Sequence, residues 1–377
     1  MADYKEITDS LRASGNLRSI PADASEQGET ADLSSNDYLG LGGRPELQAE
    51  FMADAVNRLA PLTSSASRLL SAHQADYAGF ETFLERLYGR PALLFNSGYH
   101  ANTGLVSALA QAGTMIVADK FVHASIIDGI MLSKAPFTRF PHNDFDRLER
   151  ILAKEAPLHE RILLAVESVY SMDGDRTDLG RLADIRRRYS NVLLYVDEAH
   201  GVGVEGPSGL GMTMAPGFER TADVVVGTLG KAYASQGAYC ITSAEIREYL
   251  INKARSFIFS TCIPPMAARW SRFMIKKSLS MDAERAHLKA MGTRLHEILT
   301  SLPGKNGTAS HIQPYITGTP ESAVELSRKL MERGFKVLPI RVPTVPPGTD
   351  RLRISLSANL KMSDVENLGK VLGEIAG

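Results

Sequence analysis

Two cysteines in 377 residues, Cys240 and Cys262, cannot build a disulfide framework, and both sit in apolar or small-residue surroundings. Reduced thiols in a reducing compartment are the expected state. Charge of one sign is also missing: the net charge is -1 and the pI about 6.8. The basic footprint that a nucleic-acid or anionic-membrane partner demands is therefore absent. No run is long and apolar enough to span a bilayer. Met1-Ala-Asp-Tyr-Lys-Glu-Ile7 holds no apolar signal core, so the expected location is the cytoplasm, where the sequon Asn306-Gly-Thr308 is without use. With two distant cysteines and no His-Glu-x-x-His, no metal site is expected.

What is present is an ordinary globular composition, 44% hydrophobic and 23% charged, over a length that favours more than one structural unit. Residues 1–44 read as an N-terminal arm: a short helix over Tyr4–Leu11, a small acidic linker over 22–30, then turn chemistry at Asn36-Asp37. Pro45–Leu59 reads as one amphipathic helix. From Pro91 short apolar runs alternate with helical patterns. The strand candidates are Ala92–Phe95, Thr114–Ala118, Ile162–Glu167, Val192–Asp197, Val224–Gly227 and Ala238–Thr242. Continuously apolar strands interleaved with helices predict an α/β fold, a mostly parallel central sheet covered by helices on both faces. That domain is placed at 45–265. Residues 266–377 turn helical and then give strands at His311–Ile316, Phe335–Ile340 and Arg351–Leu356, a smaller α+β domain.

In parallel sheets ligands sit beyond the carboxyl ends of the strands, so the residues just past each run carry the chemistry. Four such ends stand out. Asn96-Ser-Gly-Tyr-His-Ala-Asn102 places Ser97, Gly98 and Tyr99 at a helix N-terminus, where free amides favour a phosphate. His123 in Asp119-Lys-Phe-Val-His-Ala-Ser125 reads either as a packing or capping residue or as a flat ring stacked on a flat ligand. Asp197-Glu-Ala-His200 puts a carboxylate at the mouth of the sheet, costly to bury without a cationic partner. Gly227-Thr-Leu-Gly-Lys231 presents an amine at a glycine-permitted turn, with the Thr228 hydroxyl beside it. Such a lysine is a surface residue by default. In company with the other three ends it suits a Schiff base. Thr63-Ser-Ser-Ala-Ser-Arg-Leu-Leu-Ser-Ala72 is either a plain polar loop or a further anion contact.

Two motifs mislead. Gly201-Val-Gly-Val-Glu-Gly206 matches a dinucleotide fingerprint but follows Asp-Glu-Ala-His and runs into Pro207, which is loop chemistry. Asp197-Glu-Ala-His200 matches a nucleotide-hydrolysis box, but Gly230-Lys231 is followed by Ala232 and lacks the phosphate-binding loop.

Asp197-x-x-His200, Thr228-x-Gly-Lys231, His123 and Ser171-Met-Asp-Gly-Asp175 together resemble the α-oxoamine synthases, fold-type I pyridoxal phosphate enzymes. The likeness runs from Ser34-Ser-Asn-Asp-Tyr-Leu-Gly40 to Thr344-Val-Pro-Pro-Gly-Thr-Asp-Arg-Leu-Arg353. The resemblance implies that Lys231 bonds the cofactor's aldehyde and that Asp197 keeps its pyridine nitrogen protonated. His200 and Ser171 would lie near its phenolic oxygen, and His123 would stack on its ring. The backbone at Gly98 and Tyr99, with Thr228, would hold the phosphate, and Ser260 and Thr261 would reach a neighbouring subunit's phosphate in a homodimer. Arg353 would bind the amino-acid carboxylate, Asn36 would lie close to the substrate, and Thr344 and Arg18 would face the acyl group. The implied reaction is a decarboxylating condensation of an amino acid, alanine before glycine or serine, with an acyl thioester. Lys231, its pKa lowered by desolvation, would remove the Cα proton. Thr63, Ser65 and Ala72 stand where the family often carries glycine, and Ala234-Ser235-Gln236 is bulkier than the family's version.

Overall fold

The computed structural model describes residues 3–18, 20, 30–303 and 307–376. The linker at 22–29 and Asn306 of the sequon lie outside them. Contacts divide the chain into two compact units, one of residues 39–170 and 176–285, the other of residues 1–38, 171–175 and 286–377.

The larger unit is built on seven strands: β1 Ala92–Phe95, β2 Thr114–Asp119, β3 Phe137–Phe140, β4 Arg161–Glu167, β5 Val192–Asp197, β6 Val224–Thr228 and β7 Ala238–Ile241. They lie in the order β1-β7-β6-β5-β4-β2-β3. Neighbours are parallel except β7, which runs against both β1 and β6. Successive side chains of a strand face opposite ways, and here both ways are apolar. Ile162, Leu164 and Val166 enter one core with Phe80, Leu148 and Ile185, whereas Leu163 and Ala165 enter a second with Leu105, Ile126 and Leu250. Helices thus cover both faces of a mostly parallel sheet, as the alternation of apolar runs predicts.

Strand β3 escapes the sequence reading because only Phe140 of its four residues is buried, which is how an edge strand reads. The single helix expected over Pro45–Leu59 is two, Pro45–Ala53 and Ala55–Arg58. Asp54 adopts extended backbone angles and accepts a hydrogen bond from the Val56 N–H at 2.9 Å, a local cap that outcompetes continuation of the helix.

In the smaller unit, strands β8 Ile312–Gly318, β9 Leu338–Ile340 and β10 Asp350–Ser355 form an antiparallel sheet in the order β9-β10-β8, accompanied by helices Pro320–Glu332 and Met362–Ala376. The strand expected over Phe335–Ile340 divides. Phe335–Lys336 pairs in parallel with Ala31–Asp32, and only Leu338–Ile340 joins β10. That pairing ties residues 30–38 to this unit. The Ser355 N–H donates to Leu33 O at 2.8 Å and the Ala358 N–H to Tyr38 O at 2.8 Å. The run Ser171–Asp175 belongs here as well. Asp173 pairs with Arg351. Gly174 has φ +68°, and a Cβ on it would lie 1.8 Å from Ile312 O, so no other residue fits.

Candidate active site

The Lys231 loop is fixed at its root by the strand that leads into it. Strand β6 ends on Gly227-Thr228, and a Cβ at Gly227 would come within 2.3 Å of the Tyr239 ring, which packs across from β7. The loop is then pinned by the Leu229 N–H on Gly237 O and the Ser235 N–H on Leu229 O, both at 2.9 Å. Lys231 is half-buried, and its Nζ lies 2.8 Å from Nε2 of the buried His200, past the end of β5. The bulkier segment after the lysine has a cost. Ala234 sits at φ +44°, where glycine would be unstrained, and its carbonyl accepts the Trp270 Nε1–H at 3.3 Å. Ser65 likewise has φ +48°, a conformation that glycine adopts more readily.

Asp197 closes β5 and is 3% exposed. Among the described residues its carboxylate accepts from neutral amides, Asn102 Nδ2 on Oδ2 at 2.7 Å and the Ala199 N–H on Oδ1 at 2.9 Å. Asn102 is fixed in turn: its Oδ1 accepts the Tyr195 hydroxyl at 2.6 Å and its Nδ2 also reaches Ser125 Oγ at 2.9 Å. Ser125 Oγ lies 2.7 Å from His123 Nδ1, and His123 caps the helix Ala124–Ser133. His123 therefore caps a helix and is linked through Ser125 and Asn102 to Asp197. Desolvation is the largest influence on its imidazole and lowers its pKa; the Asp197 charge opposes that fall and Lys231 adds to it. A neutral, flat ring results.

Thr228 is buried, and its Oγ1 lies 3.7 Å from where a Cβ on Gly98 would stand. Gly98 opens the helix Gly98–Leu109, capped by Ser97 Oγ, which accepts the His100 N–H at 3.2 Å. First-turn amides and a hydroxyl are thus side by side, a fit for a phosphate. The Tyr99 ring is half-exposed and bonds Asp128, so Tyr99 can contribute its backbone alone. Ser260 Oγ accepts the Asn96 Nδ2 hydrogen bond at 2.8 Å, and Thr261, which bridges Ser67, is exposed.

Two acids went unnoticed in the sequence. Glu198 turns into the core, accepting the Ser168 Oγ–H at 2.5 Å and the Thr213 N–H at 2.6 Å. It anchors the loop that follows, and Gly201–Gly206 is turn and bend rather than the helix a dinucleotide site needs. Glu167 closes β4 beside Asp197. The one signal for either was a carboxylate inside or abutting an apolar run.

Ser171, Asn36, Thr344, Arg18 and Arg353 belong to the smaller unit. Arg353 is 5% exposed, and among the described residues its hydrogen bonds go to neutral groups: Ser171 O at 2.6 Å, Asn36 Oδ1 at 3.0 Å and the Tyr38 hydroxyl at 3.3 Å. A guanidinium so placed suits an incoming carboxylate. Arg18 donates to Thr344 Oγ1 at 2.9 Å, which brings that expected pair together.

The larger unit thus assembles an amine on an imidazole, a buried acid held by neutral donors, a second flat imidazole, and a hydroxyl beside helix amides. That donor set fits one flat ligand carrying an aldehyde, a cationic ring nitrogen and a phosphate. Comparison with known proteins agrees. The model of the family described as aminotransferase class I and II matches residues 29–372. The chain is 42% identical over 376 residues to 8-amino-7-oxononanoate synthase of Chlorobaculum parvum, covering 96% of this chain and 95% of that one. It superposes on a serine palmitoyltransferase from S. paucimobilis, solved with bound PLP–myriocin aldimine, with a TM-score of 0.88 at 27% identity, over 98% of this chain and 95% of that one. For 8-amino-7-oxononanoate synthase from Francisella tularensis the TM-score is 0.76 at 27% identity, over 94% and 98%.

Proposed function

The chain belongs to the aminotransferase class I and II family, and within its α-oxoamine synthase branch we propose that it is an 8-amino-7-oxononanoate synthase. It condenses L-alanine with a pimeloyl thioester and releases coenzyme A and carbon dioxide, a step of biotin biosynthesis. The observation that carries this reading is the 2.8 Å approach of Lys231 Nζ to His200 Nε2, on the loops that follow neighbouring strands β6 and β5, with Asp197 buried at the end of β5. Pyridoxal 5'-phosphate, when bound, supplies the electron sink for the pair left at the amino acid's Cα. Lys231 is the residue that would hold the aldehyde, and its Nζ would serve as the acceptor of the Cα proton. His200 holds that amine in place. Asp197 would face the ring nitrogen. His123 would stack on the ring, and Thr228 with the amides at Gly98 and Tyr99 would hold the phosphate. Arg353 receives the substrate carboxylate, steadied by Asn36 and Ser171. Arg18 and Thr344 serve the acyl end.

A second reading, an α-oxoamine synthase that takes serine or glycine, is favoured by the close superposition on a serine palmitoyltransferase. Free-thiol release measured against an amino-acid panel separates the two. Alanine is expected to outpace glycine and serine by at least about tenfold in kcat/KM, since one methyl or hydroxyl in a fitted pocket is worth roughly 1–3 kcal/mol. Faster release with serine or glycine sinks the assignment to 8-amino-7-oxononanoate. In the same assay Arg353→Leu should raise the KM for the amino acid and leave that for the thioester alone.

The working form is a homodimer. Leu59, Leu62, Leu70 and Phe259 are exposed, and the Cys262 N–H on Ala66 O at 3.1 Å with the Ser67–Thr261 bridge draws their two segments together. An apolar patch of this kind marks an interface. It abuts Ser260 and Thr261, which reach the partner's phosphate. Sedimentation at the mass of a single 41.0 kDa chain, at the concentrations used for assay, would overturn this. Two free cysteines suit the cytoplasm, and among the described residues no helix is long and apolar enough to cross a membrane. Cell fractionation decides the location.

A further inference from the structure

Glu167 and Asp197 close adjacent parallel strands and are direct partners in register, so both side chains leave the sheet on the same face. They are 2% and 3% exposed. Their surroundings are unequal. Asp197 accepts two hydrogen bonds from amides. Glu167 has the His123 backbone amide against its carboxyl, while its Oε1 has no hydrogen-bond partner among the described residues. Two ionised carboxylates side by side out of water repel, and the one with an unmet oxygen gives way first.

We propose that Glu167 is a positioning residue held as a neutral, protonated carboxyl, so that no second anion stands beside Asp197 at the rim of the site. The charged groups around it agree. Burial is the largest influence and raises the Glu167 pKa well above the ordinary carboxylate value. Asp197 from β5 pushes the same way, Lys231 and the His123 amide oppose it, and Asp119 from β2 adds to the rise. A neutral Glu167 thus relieves the crowding of two acids at one end of the sheet. The consequence for the ring nitrogen rests on the function proposed above; the protonation state of Glu167 does not.

Glu167→Gln tests it. The amide keeps the shape and an oxygen acceptor, and replaces the carboxyl O–H with an N–H donor. A carboxyl whose pKa is higher in the folded chain than its ordinary 4.5 contributes stability that is complete below pH 4.5 and is lost as pH climbs toward the folded value. Glutamine suffers no such loss, and every other titrating group is common to both proteins. The Tm of Glu167→Gln minus that of wild type should therefore grow between pH 5 and 8, by roughly 2 °C per pH unit. The full-length chain is measured both stripped of cofactor and loaded, and the stripped series decides the matter even if the cofactor reading fails. A gap that stays constant, or shrinks with pH, shows an ionised Glu167 and overturns the proposal. Should the variant not fold, the infrared spectrum of the wild-type chain at pH 8 decides. A carbonyl band from a protonated carboxyl supports a neutral Glu167, and its absence overturns it.

Discussion

Lys231→Ala is expected to lower turnover roughly ten-thousand-fold, because in the proposed mechanism one side chain supplies both the covalent anchor and the proton acceptor. The fold should survive. Lys231 is half-buried, its loop is pinned by backbone bonds at Leu229, Ser235 and Gly237, and the packing constraint lies at Gly227 against Tyr239. Removing the amine leaves His200 facing space that water can fill, so circular dichroism and Tm should stay near wild type. Lys231→Arg should fail equally, since a guanidinium does not give up its proton near neutral pH and cannot serve as nucleophile or base. The direct check is borohydride reduction of the holoenzyme followed by peptide mapping. Wild type should carry the label on Lys231, and neither variant should be labelled. A label on another lysine, or an alanine variant keeping more than a tenth of wild-type turnover, would reject the mechanism.

Much of this was legible because the relevant residues follow strands whose apolar runs are unmistakable. Val192–Val196 and Val224–Val226 leave no doubt about where a parallel sheet ends, so Asp197, His200 and Lys231 could be placed at one rim before any coordinates. The supporting residues were hidden by the same logic. Asn102 lies in the second turn of a helix, among residues whose spacing reads as amphipathic, and nothing local says that its amide crosses to β5. Glu167 looked like the polar end of a strand, and Glu198 like a letter in a misleading motif. Long-range pairing was illegible for a different reason. Ala31–Asp32 is too short to show a strand period, and its partner Phe335–Lys336 is some three hundred residues away, so the tie of residues 30–38 to the smaller unit rests on register rather than composition. Ser65 and Ala234 show a third limit. A backbone at positive φ can keep its shape when glycine is replaced, at a local cost in strain, and sequence registers only the replacement.

Asp197→Asn should cut turnover by at least about a thousandfold, even though it alters shape hardly at all. The effect is electrostatic. A carboxylate 3% exposed is unfavourable unless a cation shares its burial, and the amides of Asn102 and Ala199 only steady it. In the proposed site the cation that would repay that cost is a protonated ring nitrogen, whose proton a charged carboxylate would hold in place. A neutral amide leaves the nitrogen free to lose its proton, and the pull on the Cα electrons goes with it. Each pKa unit lost by the ring is about 1.4 kcal/mol, so a shift of two to three units accounts for the expected fall. Asn102→Ala separates charge from placement. It keeps the acid, removes the 2.7 Å donor from Oδ2 and strands the Tyr195 hydroxyl, which had bonded Asn102 Oδ1 at 2.6 Å. That should cost about 1–3 kcal/mol of stability and roughly tenfold in turnover. Urea unfolding and the bound cofactor's pH-dependent absorbance report the two contributions independently. If Asp197→Asn moved neither the absorbance titration nor turnover by more than tenfold, the charge on that carboxylate would be incidental. The buried acid at the end of β5 would then need a structural explanation.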